Sequence, residues 1–129
     1  MEQEDGKYSV DQFLRDQIDT VPHLEALLLL WNSRPKAWTV VDMANALFLA
    51  PRSAREILGD LVRQRLIAPV PETGESYRYE PEPEKDQLLA SVDATYRREL
   101  VRISVLIHSK PSAAVRAFAR AFRIKKDQE

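Results

Sequence analysis

Three observations predict a mainly α fold with one small β-hairpin. Apolar residues recur at intervals of three and four through most of the chain. Proline and capping signals cut that periodicity into separate helices. Only the stretch from Ala68 to Tyr79 changes character, to two short strand-like runs around a glycine turn. At 129 residues the chain has room for one core plus appendages and is short for two ordinary domains. A hydrophobic share of 44% beside a charged share of 30% argues against wholesale disorder.

The elements follow in order. Ser9 and Gln12 have capping-box spacing ahead of Val10, Phe13, Leu14 and Ile18, so a short helix is expected over about 10–18. Thr20 caps a second helix that carries Pro22 in its first turn. Its run Leu24, Leu27, Leu28, Leu30, Trp31 is apolar on more than one face, which makes it the expected buried centre. Asn32-Ser33-Arg34-Pro35 ends it, because proline disfavours helix at the residue before it. Thr39 and Asp42 start a third helix with Val40, Met43, Ala44 and Leu47 as its apolar stripe. Pro51 opens a fourth, where Ala54, Ile57, Leu58, Leu61 and Val62 share one side and Arg52, Arg55, Asp60 and Arg63 fall largely on the other.

After Leu66-Ile67 the prolines at 69 and 71 limit the hairpin to an edge position. Glu80-Pro81-Glu82-Pro83-Glu84 reads as a stiff, solvated connector. A long helix is then expected over about 84–108, with Leu89, Val92, Tyr96, Leu100, Ile103 and Ile107 stepping by three or four over roughly 35 Å. That stripe fits a dimer seam, and it equally fits a helix folded back over its own domain. Beyond Pro111 a terminal amphipathic helix sets Val115, Phe118 and Phe122 against a basic face of Arg116, Arg120 and Arg123.

Charge is near balance overall, at −1, so its distribution matters more than its sum. Residues 1–20 carry six acids against two bases and residues 68–87 the same, whereas residues 51–67 carry four bases against two acids and residues 111–129 five against two. Two local basic segments result. The last helix's basic face suits phosphate, an acidic protein partner or anionic surface, or the acidic N-terminus of its own chain.

The order helix, helix, turn, helix, hairpin over residues 21–79, and in particular VVDMANALFLAPRSAREILGDLVRQRLI before the glycine hairpin, resembles a winged helix-turn-helix transcription regulator. In outline it is similar to the MarR-like and PadR-like groups, and the long helix after the hairpin resembles the dimerisation helix of the latter. The resemblance divides the chain into an acidic N-terminal segment (1–20), a winged-helix domain (21–80) and a C-terminal helical assembly region (81–129). It implies a homodimer that binds double-stranded DNA and regulates transcription.

The helix starting at Pro51 would then enter the major groove, presenting Arg52, Ser53, Arg55 and Glu56, with Arg78 as the base of the wing. The plainer reading of these arginines is a solvated face. Three positions depart from the pattern: Ala50 replaces a Ser or Thr cap, Arg65 replaces a glycine after the helix, and Gly59 lies inside it. Glu72 and Glu75 flank the wing tip, where a phosphate-gripping wing carries Arg or Lys. An adaptor using the same fold for protein contacts is the competing function.

An enzyme is not expected. His108-Ser109-Lys110 lacks any orienting motif, and three glycines cannot build a Walker or dinucleotide phosphate loop. His23 near Asp19 and Glu25 lacks the further ligand a metal site needs, so no metal or other cofactor is expected. With no cysteine, no apolar stretch long enough to span a bilayer and no signal-peptide pattern, the expected location is the cytoplasm.

Overall fold

The helix richest in leucine lies at the centre of the molecule, and the rest of the chain is arranged to cover it. The computed structural model describes residues 2–109. Their elements run α1 (Glu2–Gln17), α2 (Val21–Asn32), β1 (Trp38–Thr39), α3 (Val40–Leu47), α4 (Pro51–Arg63), β2 (Ile67–Pro69), β3 (Ser76–Tyr79), α5 (Pro83–Arg98) and α6 (Leu100–Ser109). The central helix is α2, which buries Leu24, Ala26, Leu27, Leu28 and Leu30 and touches α3, α4, α5, α6 and β3. Each such leucine taken from water contributes about 1.5 to 3 kcal/mol.

The starts of α2 and α3 follow the caps read from the sequence. The Thr20 hydroxyl accepts the His23 backbone N–H at 3.3 Å, with Pro22 in the first turn. At α3 the capping box is complete: Thr39 Oγ1 accepts from the Asp42 N–H at 3.0 Å, and an Asp42 carboxylate oxygen accepts from the Thr39 N–H at 3.4 Å. The α3–α4 turn passes through Phe48 at φ 56°, and Arg65 has φ 62° where the chain leaves α4, the position at which glycine was missed in the sequence. Both residues hold a left-handed conformation that side chains with a Cβ adopt at a cost.

The sheet is antiparallel with order β1-β3-β2, so the proline-bearing β2 is an edge strand, while β3, the hairpin's other strand, is central and not at the edge expected of the hairpin. Its register pairs Ile67 with Tyr79, Ala68 with Arg78 and Pro69 with Tyr77. On the other side of β3, Trp38 pairs with Tyr77 and Thr39 with Ser76. This third strand was not expected. It is two residues long and merges with the cap of α3, so it leaves no alternating pattern to read.

Two helix expectations are corrected. The first helix starts at Glu2 and not at Ser9, so Ser9 lies within α1 and is not its cap. The helix expected over 84–108 is divided at Glu99, whose φ −127° and ψ 46° fall outside the helical region. The division turns the second half back towards the body of the protein. Leu89, Val92 and Thr95 of α5 and Ile103 and Ile107 of α6 are thereby buried against the same core as Val10, Phe13, Leu14 and Ile18. Arg102 holds the arrangement, reaching Glu99 at 2.7 Å and Asp11 of α1 at 3.0 Å.

The proposed dimer seam changes accordingly. Leu89, Val92, Ile103 and Ile107 are each at most 2% exposed inside their own chain, and Tyr96 is half-buried. Of the six seam residues only Leu100 is exposed, and it is joined on α6 by Val101 and Val105. The fold-back alternative is the one this geometry follows. The terminal helix carrying Arg116, Arg120 and Arg123 lies outside the described residues. Among the described residues no helix is long and apolar enough to cross a membrane.

Candidate nucleic-acid interface

One face of α4 is fixed by packing, which determines what the other face presents. Ala54, Leu58 and Leu61 are fully buried and Ile57 nearly so, while Arg52, Arg55 and Glu56 are exposed and Ser53 is half-buried. The packing partners are α2 and α3 on one side and β2 at its C-terminal end. Ala50 supplies no side-chain cap, so the first-turn N–H groups beside Arg52 and Ser53 receive no hydrogen bond from it. Such an uncapped helix start favours an anion.

The hairpin adds the second wall. Between β2 and β3 the chain makes a single 3-10 turn over Pro71–Thr73, and Gly74 at φ 78° turns it back. Glu72, Glu75 and Arg78 are all exposed. Glu75 meets Arg55 at 3.2 Å, so the acidic wing and the arginine-bearing helix are joined across the groove between them. The hydrogen bond, then the charge, of Glu75 raises the guanidinium pKa and keeps Arg55 firmly ionised. Both partners are more than half exposed, which leaves the pair open to exchange with another anion.

Of the five residues read as DNA contacts, α4 carries Arg52, Ser53, Arg55 and Glu56 near its start, and Arg78 projects from the central strand of the sheet. Two features escaped the sequence reading. Phe48, 95% exposed, stands in the turn leading into α4. Further along α4, Asp60 Oδ2 lies 2.8 Å from His23 Nε2 while its other oxygen holds Arg63, which pins α4 to the start of α2. The sequence shows Thr20 and His23 three apart, but nothing in it marks a partner 37 positions away.

The same architecture occurs in solved bacterial structures. A MarR family protein from Bacillus stearothermophilus aligns over 98% of this chain and 86% of its own, with a TM-score of 0.50 and 19% identity. MepR, a transcription regulator of the Staphylococcus aureus multidrug efflux pump MepA, aligns over 100% of this chain and 94% of its own, with a TM-score of 0.53 and 16% identity. No protein-family model matches the chain, and no curated protein matches it. The likeness is one of fold, carried by shape at low identity: the chain has the winged-helix fold seen in MarR-type regulators, with flanking helices on both sides of the winged helix.

Proposed function

We propose that this chain is a DNA-binding transcriptional regulator that reads the major groove with α4 and works as a homodimer. The observation that carries the reading is the division of α4 into a completely packed apolar side and an outward side bearing Arg52 and Arg55 beside an uncapped helix start. A helix fits the major groove, and arginine offers guanine two hydrogen bonds worth about 1 to 3 kcal/mol of discrimination. The description of MepR as a transcription regulator supports the same reading. For assembly, the exposed Leu100, Val101 and Val105 on α6 offer an apolar surface that a second copy would cover.

The deciding experiment is a titration of the full chain with random-sequence duplex DNA at low and moderate salt, followed by selection of preferred sequences. Binding that weakens steeply with salt is expected, because phosphate contacts release counterions. On a selected site Arg52→Ala should lose discrimination at one or two base pairs while the fold is retained. Absence of binding at low salt overturns the reading and leaves the protein-interaction adaptor in its place.

A further inference from the structure

We infer that Asp19, His23 and Asp60 form a binding site for a divalent transition-metal ion of the zinc type. One ligand atom from each lies within 4.8 Å of the other two. They come from three separate places: the connector between α1 and α2, the first turn of α2, and the C-terminal half of α4. Four-coordinate zinc sets its N and O ligands roughly 3.4 Å apart, given bonds of about 2.0 to 2.2 Å. His23 Nε2 and Asp60 Oδ2, now in direct contact at 2.8 Å, must part by roughly 0.6 Å to admit the ion between them, with Asp19, whose ligand atom lies within 4.8 Å of both, closing from the third side.

The surroundings orient the donors as a metal site requires. His23 is only 7% exposed. Its Nδ1 lies 2.6 Å from the Thr20 hydroxyl, which can donate to it or accept from it. Metal binding displaces the proton between Nε2 and Asp60; with the remaining proton on Nδ1, Thr20 accepts it and the Nε2 lone pair faces the ion, the outer-shell arrangement that metal-bound histidines share. Arg63 engages Oδ1 of Asp60 and leaves Oδ2 to face the imidazole. One imidazole and two carboxylates balance a dication's charge, and this borderline nitrogen and oxygen set suits zinc better than magnesium or calcium. Water fills the fourth position. A bound ion would staple the α1–α2 connector to α4, strengthening the single contact that His23 now makes across that gap.

The test uses the full-length chain, stripped with a chelator and titrated with Co²⁺ as an optical probe of four-coordinate geometry. One Co²⁺ per chain is expected, displaced by Zn²⁺, with a Zn²⁺-dependent rise in melting temperature. Asp19→Asn and His23→Gln should each weaken the site by more than about 100-fold, beyond what an outer-shell change costs. Glu25→Gln makes the same charge change on α2 outside the cluster and should leave binding intact. If His23→Gln does not fold, Asp19→Asn decides, since it alters only a half-buried connector side chain and its helical circular dichroism in chelator verifies the fold. The inference fails if the wild-type chain takes up no Co²⁺ at sub-millimolar concentration. It fails equally if Asp19→Asn binds Co²⁺ as the wild type does, or if His23→Gln lowers the melting temperature by the same amount with and without Zn²⁺.

Discussion

Arg55 brings an acidic neighbour with it. Glu75 of the wing engages only one of its nitrogens, so the rest of the guanidinium can still donate, but a duplex meeting Arg55 would also meet the Glu75 carboxylate. Glu75→Gln removes that repulsion. It is expected to raise affinity for random-sequence DNA severalfold and to steepen the salt dependence, while the melting temperature hardly moves because both partners are exposed. Unchanged binding would show that the wing tip stands clear of the duplex. The arginines of α4 were legible in the sequence because an apolar stripe at three and four spacing fixes which side chains are left outside. Their neutralising partner was not, because the curl of the hairpin brings Glu75 back over α4 across 20 residues, and no local signal encodes that curl.

Gly59 gives α4 a weak point that its surroundings do not require. A methyl group added there would meet only the end of the Arg63 side chain, at an ordinary 3.7 Å, and the backbone does not need glycine's freedom. Gly59→Ala should therefore stabilise the protein by about 0.5 to 1 kcal/mol in a denaturant titration. Where the wing meets α5, the buried Tyr79 hydroxyl donates to Asp86, and burial first, then that bond and the Asp86 charge, raise its pKa well above the usual 10. The unfolded chain thus releases this proton first as pH rises past about 10, and stability should fall from there upward. Tyr96, also raised by burial and by Glu25, contributes in the same direction. Tyr79→Phe should make the alkaline decline shallower without abolishing it. At this scale the caps at Thr20 and Thr39 could be read directly, since each rests on residues three apart. The break at Glu99 could not: its neighbours are ordinary helix formers, and only the demand of the core for Ile103 and Ile107 bends the chain there.

The molecule as a whole has one core, to which α1, the winged helix and the last two described helices all contribute. Two consequences follow for assembly. With Leu89, Val92, Ile103 and Ile107 committed inside, a second copy has the α6 surface of Leu100, Val101 and Val105 to meet. Changing Val101 and Val105 together to Glu should convert a dimer to a folded monomer in sedimentation, because the introduced carboxylates would be buried against their symmetry mates. A wild-type chain that sediments as a monomer at micromolar concentration removes the dimer from the proposal. The other consequence concerns time. Asp11 waits for Arg102, 91 positions later, and Val10, Phe13 and Leu14 wait with it for the faces of α5 and α6. At about 5 to 20 residues per second on the ribosome, α1 stands for several seconds with its apolar side uncovered before α5 and α6 emerge. The contacts that tie α1 to α5 and α6 have high sequence separation, and their loop-closure entropy must be overcome before they form.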